Sequence, residues 1–251
     1  MRIGFVDYIN ALPFTLFFRN TPPRGYDITY GVPSLLNKLL RDEELDCSLV
    51  SVAECLDYGH IQLPSFGTVA RGKVRSVNLY TKKPVTSLSG EQIGITEQSA
   101  TSVSLLRTLC RHVWNVAPHF EPIDRTRLDS YTAFLLIGDE ALQKERIQGY
   151  ETVDLPESWY QATGLPFVFA VFTAGQKAYS AKRGEVDAFM EFVKKGLDYG
   201  KRHQEEVYEA AIEKSNLSRK TVVEYFDLIH CELDSQALQG LELFKKWRAD
   251  V

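Results

Sequence analysis

Short apolar runs alternate with amphipathic stretches of helical length as far as residue 175, and this alternation predicts an α/β fold built from βαβ units. The series breaks at Lys82-Lys83-Pro84 and starts again, which predicts two lobes. Beyond Ser180 the pattern is helical to the end. A length of 251 residues suits one large or two small domains, and a composition of 44% hydrophobic and 25% charged residues is that of a chain that buries a core.

In order, residues 2–6 read as a strand, 11–18 as a helix, 27–30 as a strand, and 33–41 as a helix with Pro33 in its first turn, where no N–H is needed. Residues 47–52 form the third strand. Parallel neighbours need a crossover, usually a helix, so the sheet is expected to be mainly parallel. Residues 74–81 read as a longer strand. In the second series 92–96 is a strand, 101–114 an amphipathic helix with Val103, Leu106, Leu109, Cys110 and Val113 on one face, and 133–138 a buried strand. Residues 155–163 read as a helix and 167–174 as a returning strand. Helices are expected at 185–203, 205–214, 219–231 and 235–248. Crossings near 80–84 and 173–176, with the helical tail packed on the first lobe, divide the chain into 1–82 plus 176–251 and 83–175. A ligand cleft is expected between the two lobes.

Composition narrows the function. Lys and Arg number 29 against 33 Asp and Glu, a net charge of −4 with no long basic run, so no nucleic-acid partner is expected. The longest uncharged stretch, 158–176, is interrupted by Gln161, Thr163, Gly164 and Pro166, so no membrane span is expected either. Asp7, Asn10 and Pro13 break up any apolar leader, which predicts a cytoplasmic protein. Cys47, Cys55, Cys110 and Cys231 form no C-x-x-C pair and read as reduced core thiols. His60, His112, His119, His203 and His230 form no close ligand pair, and His230-Cys231 falls in a stretch read as helix, so no metal site is expected. The nucleophile elbow, the P-loop and the dinucleotide fingerprint are all missing, and no cofactor is expected.

Three segments fall where strands end and helices begin. Asn10 follows the first strand directly, at the carboxyl end where open α/β sheets bind ligands, and it also reads as a helix cap. Ser99, Thr101 and Ser102 open the helix after the 92–96 strand, where free N–H groups and the helix dipole suit a carboxylate or phosphate, although a Ser or Thr cap accounts for them equally. Gly138 permits close approach of backbone or ligand, and Asp139 reads as a cap on the following helix.

Taken with Pro33-Ser34-x-Leu36, Leu49-Val50-Ser51-Val52-Ala53-Glu54, Val74-Arg75-Ser76-Val77, Ile137-Gly138-Asp139-x-Ala141-Leu142 and the run from Asp154-Leu155 to Phe172, these segments resemble the chorismate dehydratase family of the futalosine route to menaquinone. The resemblance implies a two-lobed periplasmic-binding-protein type II-like fold and loss of water from chorismate to give 3-[(1-carboxyvinyl)oxy]benzoate without a cofactor. It implies Asn10 and Ser76 as the catalytic polar pair, and Ser99, Thr101, Ser102, Gly138 and Asp139 as substrate-binding. The implied partner is one small dicarboxylate, chorismate, with the protein a monomer or homodimer. Arg71, Lys73 and Arg75 offer positive potential for a dianion, or are solvated surface charges. The chain departs from the family pattern at Ala11, at Phe172 where tryptophan is usual, and at Arg71-Gly72-Lys73.

Two alternatives stand beside this one. The sister enzyme, 1,4-dihydroxy-6-naphthoate synthase, carries a histidine where Gly138-Asp139 stands here. A non-catalytic binder of small carboxylates is the other, since fold alone does not decide function.

Overall fold

The computed structural model describes residues 1–251, and it divides into two compact units, Met1–Thr68 with Ala170–Leu233, and Val69–Phe169 with Asp234–Val251. Chain order begins with β1 (Arg2–Val6), a 3-10 turn (Ile9–Ala11), α1 (Leu12–Asn20), β2 (Asp27–Gly31), α2 (Pro33–Arg41), β3 (Cys47–Ser51), α3 (Val52–Tyr58) and β4 (Ile61–Ala70). The middle of the chain holds β5 (Val77–Thr81), β6 (Gln92–Ile95), α4 (Ala100–His112), β7 (His119–Pro122), β8 (Ala133–Ile137), α5 (Gly138–Gln143), β9 (Glu151–Asp154), α6 (Leu155–Thr163) and β10 (Phe167–Ala174). It ends in α7 (Gln176–Ala181), α8 (Arg183–Arg202), α9 (Gln204–Ser215), α10 (Arg219–Leu228), β11 (Ile229–Glu232) and α11 (Ser235–Arg248).

The first unit is organised by a six-stranded sheet of order β11-β4-β10-β3-β1-β2. β1 runs parallel to β2 and β3, whereas β10 is antiparallel to β3. The sheet is therefore mixed where a mainly parallel one was expected, because β10 returns along the chain. Its core is aromatic: Phe5 stacks on Phe18 at 5.1 Å between ring centres, and Phe172 meets Phe14 edge-on at 5.5 Å. α8 lies close against α1 because Gly196 and Gly200, one turn apart, face the carbonyls of Phe14 and Pro13.

The second unit is built on a five-stranded sheet of order β7-β6-β8-β5-β9. β6 is parallel to β7 and β8, while β5 is antiparallel to both β8 and β9. α11 packs here. Phe244 meets Phe167 at 4.9 Å and Trp159 at 6.0 Å, Trp247 meets Trp159 at 5.4 Å, and Arg248 donates to the Ser104 hydroxyl at 3.0 Å.

Several sequence expectations are corrected. The chain changes units within β4 and β10 and again after β11, not at 82/83 and 175/176, and only α7 to α10 of the helical tail join the first unit. The aromatic face of α11 decides its place, since Trp159 and Phe167 supply the matching rings. β4 contains Pro64 and Gly67, residues that weaken a strand signal; Gly67 is needed because a side chain there would strike the Ala170 carbonyl. β7, β9 and β11 are short and polar, so periodicity did not reveal them. His230-Cys231 accordingly sits on a strand rather than a helix. On α4 the buried face includes Leu105 and Thr108 while Val103 is only half-buried, because the helix packs against both α6 and α11.

Candidate functional site

In the first unit, β1 ends at Val6 and Asp7 is pinned at once: its N–H donates to the Gly31 carbonyl at 2.9 Å, and its carboxylate pairs with Arg19 at 2.6 Å and Lys214 at 2.9 Å. Asn10 follows within the 3-10 turn, half-buried, at the carboxyl end of the parallel strands. It caps neither the turn nor α1, whose caps are Tyr8 and Ala11. The capping reading is thus set aside for Asn10, whose amide makes no hydrogen bond within the chain.

The Leu49 to Glu54 segment supplies a polar network at the carboxyl end of β3. Ser51 caps α3 by accepting from the Glu54 N–H at 3.2 Å, and Asn37 donates to the Ser51 hydroxyl at 3.2 Å. Glu54, buried, accepts from Arg41 at 3.2 Å and lies 3.4 Å from His60 Nε2. Burial pushes the Glu54 carboxyl up against the pull of Arg41, and pushes the His60 imidazole down. Sequence reasoning had given this network no role, and the Ser51-x-x-Glu54 spacing of a capping box at the end of a buried strand is the signal that reveals it.

In the second unit the register gathers the remaining residues at one end of the sheet. Val77 of β5 pairs with Ile137 of β8, and β6 runs parallel to β8, so Ser76, Gly138 and the turn into α4 all lie at the end where β6 and β8 finish. Ser76 is 5% exposed; its carbonyl accepts from the Gly138 N–H at 2.7 Å, and its hydroxyl has no partner within the chain. Gly138 has φ +61°, a backbone conformation that favours glycine.

Ser99 does cap α4. Its hydroxyl accepts from the Ser102 N–H at 3.2 Å and donates to the Ser102 hydroxyl at 2.9 Å. Thr101 and Ser102 are buried in the first turn, where a helix leaves N–H groups without intrahelical partners. Asp139 is not the cap expected of it: Ile137 holds that position on α5, with no side-chain bond, and Asp139 lies in the first turn.

The loop carrying Ser76 is held by a residue whose role the sequence did not reveal. Asp154, 5% exposed at the end of β9, accepts from the N–H of Val74 at 3.0 Å, of Arg75 at 2.6 Å and of Glu157 at 3.0 Å. Burial pushes its carboxyl up, and the three N–H donors oppose that. Arg75, at φ +65°, also has its carbonyl held by Asn78 at 2.8 Å and its guanidinium paired with Glu145. Arg71 pairs with Asp234, so two of the three basic residues in this stretch are already neutralised and Lys73 alone stands exposed. A recess of about 1010 Å³ beside the loop is lined by both signs of charge, among them Lys73, Arg75, Glu145 and Asp154, but not by Asn10, Ser76, Ser99, Thr101, Ser102, Gly138 or Asp139. No three His, Cys, Asp or Glu residues are grouped to hold a metal ion, and no helix is long and apolar enough to cross a membrane.

This architecture is that of the periplasmic-binding-protein class. A solved Candida albicans protein, the CA3427 gene product, described as having the generic periplasmic binding protein fold, matches with a TM-score of 0.70 at 12% identity, over 100% of this chain and 90% of that one. The chain belongs to the menaquinone biosynthesis family of enzymes, whose model matches residues 1–250. It is 29% identical, over an alignment 262 positions long, to a chorismate dehydratase of Thermus thermophilus, covering 96% of this chain and 93% of that protein. It is 30% identical over 182 aligned residues to a chorismate dehydratase of Campylobacter jejuni, covering 70% and 69%.

Proposed function

We propose that this protein is a cytoplasmic lyase that removes water from chorismate to give 3-[(1-carboxyvinyl)oxy]benzoate. One observation carries the reading: the Thermus thermophilus chorismate dehydratase aligns with 96% of the chain, and the family match spans every segment that holds Asn10, Ser76, Ser99 and Gly138.

In this reading the C–H bond at the ring carbon bearing the enolpyruvyl ether breaks first, and its electron pair is held as a carbanion delocalised over the ring diene and its carboxylate. As the C–O bond to the neighbouring hydroxyl then breaks, that pair forms the last double bond of the ring, and the hydroxide leaves as water with the abstracted proton. Neither asparagine nor serine is a base at neutral pH, so the substrate's own enolpyruvyl carboxylate takes the proton. Asn10 and Ser76 orient the reacting groups and stabilise charge as it develops. An amide and a hydroxyl that are not engaged within the chain are suited to that work. The first turn of α4, with Ser99, Thr101 and Ser102, is assigned to a substrate carboxylate, where N–H groups and the helix dipole favour negative charge. Gly138 and Asp139 complete the assignment beside Ser76.

The test is to mix purified protein with chorismate and follow loss of one water by mass spectrometry against a protein-free control. Accelerated formation of the enol-ether benzoate is expected. Folded protein that binds chorismate without converting it would make this a binding protein, and no interaction at all would end the reading.

A further inference from the structure

We infer that Asp154 is a positioning residue that fixes the conformation of Ser76 through the backbone of Val74 and Arg75; the inference rests on the role given to Ser76 above. The residue type asks more of its place than a helix cap requires. Asp154 begins α6, and one oxygen, accepting from the Glu157 N–H at 3.0 Å, satisfies that need. Serine, threonine or asparagine would cap as well. The other oxygen accepts from two consecutive N–H groups, Val74 at 3.0 Å and Arg75 at 2.6 Å. Among small side chains only a carboxylate offers an acceptor on each side, since an amide has one oxygen and a hydroxyl has too short an arm.

What those two bonds hold is a backbone that would otherwise relax. Arg75 sits at φ +65°, an uncommon conformation for a residue with a side chain, and it persists where the surroundings over-determine it. Its N–H is fixed by Asp154 and its carbonyl by Asn78 at 2.8 Å. Ser76 comes next, with its carbonyl tied to Gly138 at 2.7 Å. Rotation at Arg75 would carry the Ser76 hydroxyl away from the end of the sheet where Gly138 and the turn into α4 lie. Asp154 stands opposite Asn78 on the neighbouring strand, so the hold is built into the pairing of β9 with β5.

Asp154→Ser separates the two duties, because it keeps the cap and loses the hold. The expected result is a fall in kcat of at least about tenfold with KM within about threefold. Amide exchange at residues 74–76 should quicken by about tenfold or more while α6 keeps its protection. In a Ser76→Ala background the same substitution should cost less than about twofold, since the two residues act through one hydroxyl. Full activity in Asp154→Ser, or losses that multiply in the double variant, would overturn the inference. If Asp154→Ser does not fold, Asp154→Thr, which likewise keeps a capping hydroxyl and loses the hold, carries the same cycle. If wild-type protein does not convert chorismate, the dehydratase reading fails by itself. Exchange at residues 74–76 then decides for Asp154: quickened exchange keeps it as the anchor of the loop, and unchanged exchange removes it.

Discussion

Asn10 and Ser76, the pair proposed to act on the substrate, leave their side-chain groups unengaged within the chain, and replacing them opens no large apolar volume. Asn10→Ala and Ser76→Ala are each expected to lower kcat by about 10²-fold or more and to change stability by about 1 kcal/mol or less, measured by steady-state turnover and urea unfolding. Near-normal turnover in either variant would withdraw that residue from the chemistry. Asp46 shows the opposite case. Burial alone would raise its carboxyl, but hydrogen bonds from the Arg2 side chain and N–H and from Lys182 outweigh it and hold the group at about 2, below the usual 3.8. A carboxylate depressed on folding stabilises the fold above its unfolded value, and that stabilisation disappears as pH falls through the folded one. Asp46→Asn should therefore cost about 1–2 kcal/mol at pH 7, and its unfolding curve should converge with that of wild type between about pH 4 and 2. A constant gap down to pH 2 would contradict this.

Helices and strands here are shaped by what lies against them more than by their own propensities. Alanine is the better helix former by about 1 kcal/mol, so Gly196→Ala in α8 would stabilise an isolated helix. In this protein a β-carbon at that position falls 2.6 Å from the Phe14 carbonyl oxygen, which is backbone and cannot swing aside. The expected sign is therefore reversed, a loss of about 1–3 kcal/mol in thermal unfolding. Phe172 makes a similar point: it is fully buried against Phe5 at 6.0 Å and Phe14 at 5.5 Å, so its side chain serves the core of the first unit. Arg71 likewise pairs with Asp234 at the cap of α11 and serves the packing of that helix.

At the scale of the molecule, the chain builds part of the second unit, returns to finish the first, and closes the second with its last eighteen residues, Asp234–Val251. That segment brings Phe244 to Trp159 and Phe167, so the core of the second unit is incomplete without it. Deleting residues 234–251 is expected to raise amide exchange throughout Val69–Phe169, with the strongest protection in β1 and β3 retained. Retained protection in the second unit would mean that α11 is dispensable. Family membership is likewise a property of the whole, since the match runs over residues 1–250 and depends on no single motif.

The sequence by itself determined the α/β class and the bounds of β1, α2, α6, β10 and α11, which the structure reproduces residue for residue. Those elements announce themselves because each buries a stripe or a face whose period is written in neighbouring residues. It also marked Asn10, Ser99 and Gly138, since the ends of strands and the starts of helices are local events. Tertiary structure alone decided which unit α11 joins, where the chain crosses, that β7, β9 and β11 are strands, and that Asp154 reaches back about eighty residues to hold Val74 and Arg75. Edge strands and anchoring carboxylates are made by partners distant in the chain, and no local period records a partner that only folding brings near.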